Sequence, residues 1–274
     1  MIRKLLLLTI IALLFTVTLV GANRLINKQA PADLAALSAA NSLYAAGQYS
    51  EAIQVFQQLI DQGVQETSVF YNLGNAYYRL GDYGRAILNY RRASQLNPRD
   101  GDVKANLELA LTMANVEAPE IALGPITLIS DITGNWLTFN ETALLALSLW
   151  LIVSFLLITW RLFYSEGPPS PVRFVVVATL ILLLVVVMSL GSRTYTDSLE
   201  PRGVVVAPVV TLHNEPGDET NSEFEIVAGS SVDLIEQQGD WIYLSSPGDI
   251  YRGWVPSGTV EIIGLNQLGY DVQT

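Results

Sequence analysis

Of the side chains that ordinarily carry catalysis, the chain has a single histidine, His213, and no cysteine. His213 follows an apolar run and stands beside Asn214 and Glu215, which reads as an exposed turn after a strand. One imidazole without a thiolate or a second imidazole makes a poor metal site. No Gly-x-Ser-x-Gly elbow offers a nucleophile, and neither a phosphate loop nor a dinucleotide fingerprint occurs. The expectation is a protein that is not an enzyme and uses no cofactor or metal. The chemistry that does recur is that of the carboxamide. Asn41 and Asn75 are 34 residues apart, and so are Asn72 and Asn106. Each offers two donors and an acceptor, so a ladder of them could hold a peptide backbone without reading its sequence. Arg79, with Tyr44 or Tyr78, would add a charge contact and an apolar wall.

Elements that would position these groups follow from a repeat. Shifting the chain by 34 lays Gly47 on Gly81, Tyr49 on Tyr83, Ala52 on Ala86, Ile53 on Ile87 and Phe56 on Tyr90. A period of 34 with small residues at fixed places marks stacked helix pairs. Gly74 and Ala86 are small where two helices cross closely, and Tyr77 and Tyr90 fill the space between helices. Gly81 ends a first helix and Pro98 a second. With Phe70, Leu73, Gly74 and Tyr77, then Ala86, Tyr90, Ala93 and Pro98, the segment resembles the tetratricopeptide repeat (TPR) family. A degenerate repeat from Asp33 precedes it, with Ala36, Ala39, Ala40 and Leu43 in the first helix and Val64 where the proline would be. After Pro98, "DGDVKANLELALTMAN" places Val103, Leu107, Ala110 and Leu111 on one face, as a capping helix would.

Residues 33–115 are therefore expected to be an all-α array of about two repeats and a cap. The resemblance implies a concave groove, lined by first helices, that takes extended peptides. Its partner-binding residues here are Asn41, Tyr44, Asn72, Asn75, Tyr78, Arg79 and Asn106. The family's carboxylate clamp also wants lysines where this chain has Leu37 and Asp102, which puts such a clamp in doubt.

Half of the residues are apolar and 15% are charged, against about a quarter charged in ordinary soluble domains. That imbalance points to membrane segments. Arg3 and Lys4, an apolar run over residues 5–20 and small residues to Ala22 read as a signal peptide over 1–22, or an N-terminal anchor if uncleaved. The uncharged runs 142–160 and 174–191 match the length that crosses a bilayer as a helix. Residues 161–173 read as the turn of a transmembrane hairpin, placed in the cytoplasm by Arg161 and Arg173. With no charge inside the spans, no ion path or proton relay is expected. Residues 116–141 read as a membrane-proximal linker whose Trp136 and Phe139 sit at the interface. The net charge of −11 argues against nucleic acid as a partner.

Residues 202–264 change to short alternating runs separated by turn signals, five or so strands of a small β-barrel. Gly239-Asp240-Trp241 and Gly253-Trp254-Val255 make this region similar to the bacterial SH3-like family. Trp241, Tyr243, Tyr251 and Trp254 would form a groove for Pro-rich or extended peptides, or else pack the barrel core and rim. Some members of that family bind cell-wall peptides. Only Arg202 and Arg252 stand against ten acids here, among them Glu215, Asp218, Glu219, Glu223 and Glu225. Such a surface repels an anionic wall polymer and attracts a basic protein. Residues 265–274 form a tail.

The fold class expected is a multidomain membrane protein: an all-α TPR helical repeat, a two-helix transmembrane hairpin and a small all-β SH3-like barrel. This order resembles the BatE-type proteins of the bacterial aerotolerance operon. The resemblance implies a multi-pass scaffold in the bacterial inner membrane, with TPR and SH3-like domains extracytoplasmic, serving an envelope stress complex. It also implies von Willebrand A-domain Bat proteins as partners and, indirectly, a MoxR-type AAA+ ATPase. The rival reading is an envelope sensor whose SH3-like domain contacts cell-wall peptide.

Overall fold

A computed structural model describes residues 31–116, 136–164, 170–199, 202–217 and 222–264. The expected signal or anchor, the tail, Asp218, Glu219 and most of the linker lie outside the described residues. Ala32–Thr138 and Arg193–Thr274 together form one compact unit, and the apolar helices belong to a second.

Among the described residues, five helices open the first unit: α1 (Pro31–Ala45), α2 (Tyr49–Asp61), α3 (Thr67–Arg79), α4 (Tyr83–Leu96) and α5 (Gly101–Met113). Gly47 and Gly81 end α1 and α3 with φ of 78° and 79°, a left-handed turn that glycine takes without a Cβ clash. The next amide in each case reaches back five residues, Gln48 to Leu43 and Asp82 to Tyr77, at 3.0 Å. At helix starts, Asp82 Oδ1 accepts from the Arg85 amide, and Asp100 Oδ1 from those of Asp102 and Val103. Phe56, Leu59, Phe70, Leu73, Ile87 and Tyr90 fill the core between helices, and Val103 and Ala110 of α5 cover its end. At the α3–α4 crossing a Cβ on Gly74 would stand 2.8 Å from Tyr90 ring atoms and 3.3 Å from the Ala86 carbonyl.

Seven strands follow among the described residues: β1 (Arg202–Val205), β2 (Val209–His213), β3 (Ser222–Val227), β4 (Ser231–Gln238), β5 (Trp241–Ser245), β6 (Arg252–Pro256) and β7 (Val260–Ile262). They form one antiparallel sheet in the order β3-β2-β6-β5-β4-β1-β7. The count exceeds the five or so expected because two runs each break in two, at Ala207 and Pro208 into β1 and β2, and at Ser257–Thr259 into β6 and β7. Pro208 has no amide to give a ladder. Every strand contributes to one apolar cluster, from Val205 and Leu212 to Leu244 and Val260.

Array and sheet share a seam along α4. Val204, Val206 and Ile263 belong to the same apolar cluster as the helix core. Gly84 lets the backbone at Val205 and Val206 come close, since a Cβ there would meet both carbonyls at 3.0 Å. The Ile87 side chain lies directly against Gly229. Arg85 Nε donates to Glu261 Oε1 at 3.1 Å, Arg91 Nη1 to Ser231 Oγ, and Arg92 Nη2 to the Ile262 carbonyl at 2.6 Å.

In the second unit, α6 (Phe139–Phe163) and part of α7 (Ser170–Leu199) are long and apolar enough to cross a membrane. Only 17% of each apolar window is buried, whereas the core helix of a soluble protein is mostly buried. Leu147, Trp150, Ile181 and Leu184 are all exposed. Both helices outrun the spans expected at 142–160 and 174–191. Arg161 lies inside α6, and Pro171 and Arg173 lie in the first turn of α7, where proline is tolerated. Much of the expected turn is therefore helical; residues 165–169 lie outside the described residues.

Candidate partner-binding surfaces

The 34-residue register puts Asn41 on α1, Asn72 and Asn75 on α3, and Asn106 on α5. Positions 34 apart are equivalent, but positions 31 apart touch. Asn72 Nδ2 donates to Asn41 Oδ1 at 2.8 Å, and Asn106 Nδ2 to Asn75 Oδ1 at 2.9 Å. Asn106 Nδ2 also donates to the Tyr71 hydroxyl at 3.0 Å, and the Tyr90 hydroxyl donates to Asn75 Oδ1 at 2.7 Å. Asn75 Oδ1 thus accepts twice within the protein. Asn75 Nδ2 and Asn106 Oδ1 have no partner among the described residues, so the two carboxamides keep one donor group and one acceptor unused. That pair matches the carbonyl and amide of an extended peptide.

Both residues line a pocket of about 180 Å³, together with Tyr44, Tyr78, Arg79, Tyr90 and Leu109. Five of the seven expected groove residues meet there. Asn41 and Asn72 pair with each other and are not among its lining residues. Arg79 is exposed and its guanidinium lies 5.2 Å from the Tyr49 ring centre. Tyr49 in turn meets Tyr44 at 5.3 Å, and the equivalent Tyr78 and Tyr83 rings lie 5.4 Å apart. Burial raises the pKa of the Tyr90 phenol, and that of Tyr44 despite the opposing charge of Arg79. Both phenols therefore stay neutral at physiological pH. Tyr90 and Leu109 were not among the expected site residues. Tyr90 reads in sequence as a helix spacer, and its hydroxyl reaches the groove because the tyrosine is long enough to do both.

On the sheet, Trp241, Tyr243 and Trp254 do not enter the core. Tyr243 is directly opposite Trp254, and Trp254 is opposite His213, so these side chains share the outer face. The Tyr243 and Trp254 rings are 5.2 Å apart, and His213 meets Trp241 edge-on at 5.4 Å. All four are half-buried. His213, expected in an exposed turn, ends β2 and joins this aromatic strip. Tyr251 stands apart: it precedes β6 and packs on the apolar cluster, and burial raises its pKa.

Residues 37–107 match the tetratricopeptide repeat family, so the helical array is a TPR array. The match takes in α2, α3, α4 and most of the groove, and it does not extend to the apolar helices or the sheet. No curated protein matches the chain.

Proposed function

We propose that the chain is a non-catalytic, membrane-anchored scaffold whose TPR groove holds an extended segment of a partner protein. The observation that carries this reading is the bonded pair Asn106 Nδ2–Asn75 Oδ1, which leaves Asn75 Nδ2 and Asn106 Oδ1 unused in a pocket shared with Arg79, Tyr44 and Tyr78. A peptide backbone laid across the pocket would meet one donor and one acceptor, a cation and aromatic walls. The exposed apolar surfaces of α6 and α7 support anchoring, because only lipid or protein makes such surfaces favourable. Arg3, Lys4, Arg161 and Arg173 favour a topology with array and sheet outside the cytoplasm. Following the resemblance in segment order to BatE-type proteins, the partners are von Willebrand A-domain Bat proteins in an envelope stress complex. A MoxR-type ATPase would act through them.

The test is capture of such partners from solubilised membranes by the full chain and by Tyr78→Ala and Arg79→Glu variants. Loss of capture with unchanged circular dichroism supports the groove. Capture that survives both changes overturns it. A second reading, an SH3-like sensor of cell-wall peptide, is favoured by the half-buried strip of Trp241, Tyr243 and Trp254. It requires that Trp254→Ala abolish muropeptide binding while the groove variants leave it intact.

A further inference from the structure

The two ends of the sheet are finished differently. β7 lies against α4, where Arg92 bonds the Ile262 carbonyl and Arg85 pairs with Glu261. At the other end, β3 pairs only with β2 among the described residues. Val210 faces Ile226 and Leu212 faces Phe224 across that ladder, and residues directly opposite share a face. Val210, Leu212 and Ile226 are core residues, so Phe224 is on the core face too. Yet Phe224 is 56% exposed. The apolar core is therefore open along β3. Glu225, opposite Thr211, lies on the outer face and is exposed. An open edge with unpaired backbone groups is a template for another strand.

We infer that β3 is a strand-addition site for an extended, basic segment of a partner protein. The alternation of β3 dictates the pattern of its occupant. On the core face the added strand lays an apolar side chain beside Phe224. On the outer face it meets Glu225, so the alternate residues carry Lys or Arg. A second copy of β3 would bring its own Glu225 to the same acidic edge, and like charges across a strand pair are destabilising. The C-terminal residues 265–274 carry Asp271 and no Lys or Arg, so they do not meet the charge either. Residues 202–264, with ten acids to two arginines, attract a basic segment and repel an acidic one. This site lies on the sheet, shares no residue with the groove, and does not rest on the groove being occupied.

The experiment uses the solubilised full chain and a labelled ten-residue peptide of alternating valine and lysine. Two controls accompany it: a valine–glutamate peptide, and the valine–lysine peptide with N-methyl groups on alternate amides, which keeps the charge and blocks strand pairing. The expected result is affinity for the unmethylated valine–lysine peptide about ten-fold above either control. Amide exchange at 222–227 should slow on binding, and Glu225→Lys should reverse the preference toward the glutamate peptide. Unchanged exchange in α3 and α4 certifies that the variant is folded, and Glu225→Gln should give an intermediate affinity. Equal binding of the methylated peptide would reduce the effect to charge and overturn the proposal. So would absence of binding, or protection confined to the groove helices or the aromatic strip. Slow exchange at 222–227 that depends on protein concentration would assign the edge to a second copy. Slow exchange lost on deleting residues 265–274 would assign it to the tail. Either result overturns the basic partner.

Discussion

Arg92 of α4 donates a 2.6 Å hydrogen bond to the carbonyl of Ile262, joining the TPR array to the last strand of the sheet. Around that bond, Ile87 and Val206 belong to one apolar cluster. A TPR array ordinarily needs about three units to cover its own apolar faces. Here the sheet covers α4 and α5 closes the end, so array and sheet should melt together. Arg92→Met removes the donor and strands a carbonyl in a buried seam, at a cost of about 1–3 kcal/mol. Amide exchange in the full chain is expected to quicken in α4 and β1 alike. Faster exchange in one alone would separate the two as folding units.

Arg91, one residue earlier, has no acid to offset its burial, whereas Glu261 opposes the lowering that burial causes at Arg92. The Arg91 guanidinium bonds the neutral Ser231 hydroxyl, and burial, then the like charge of Arg202, pull its pKa down to about 10. A base whose folded pKa lies below its unfolded value penalises folding while it is charged. The penalty is full below pH 10 and fades as pH rises from there toward the ordinary arginine value. Arg91→Met is thus expected to be neutral or stabilising by roughly 1 kcal/mol at pH 7. The gap between variant and wild type should narrow above pH 10. Thermal melts of the full chain at pH 7 and pH 10.5 check both statements.

How far these features could be read from sequence depends on their range. Gly47, Gly81, Gly74 and the capping face of Val103 and Ala110 follow from local spacing, and the helices, turns and crossing confirm that spacing. The asparagines were legible as equivalent positions but not as bonded pairs, because equivalence runs at 34 and contact at 31. The seam was not legible at all. Arg85, Arg91 and Arg92 look like the solvated face of a helix until strands more than a hundred residues away supply their acceptors. On the sheet, alternation gave the outer face of Trp241, Tyr243 and Trp254 only once the pairing of β5 with β6 fixed the register.

Gly74→Leu tests the helix crossing. With Tyr90 ring atoms 2.8 Å from where a Cβ would stand, the larger side chain must push α3 from α4. Overpacking of this kind costs about 1–3 kcal/mol. Gly101→Ala is the control, since a Cβ there meets nothing within 4 Å and the residue opens α5. The expected outcome is a lowered melting temperature for the first variant and an unchanged or slightly raised one for the second.

Topology has its own test. A periplasm-active reporter fused after Thr274 is expected to be active, in keeping with Arg161 in the last turn of α6 and Arg173 in the first turn of α7. Reversing both to glutamate should lower that activity. Activity of a cytoplasm-specific reporter at the same point would place the sheet inside and remove the envelope reading.

The asparagines must be tested one at a time, because they do two things. Asn75→Ala would strand the buried Tyr90 hydroxyl and lower stability by about 1–3 kcal/mol, so weakened capture would have two causes. Asn72→Ala removes only the exposed bond to Asn41, outside the pocket, and should change neither stability nor capture much. Asn106→Ala is the informative change. It deletes the free acceptor Oδ1 and leaves Tyr90 bonded to Asn75. A typical hydrogen bond is worth about 0.5–1.5 kcal/mol, so capture should weaken roughly two- to twelve-fold in titrations of the full chain. Melting should fall by no more than the loss of the two part-buried hydrogen bonds that Asn106 Nδ2 makes to Asn75 and Tyr71. Capture unchanged by Asn106→Ala but lost with Arg79→Glu would leave the cation and the tyrosines to hold the partner. The carboxamides would then serve only to bind α3 to α5.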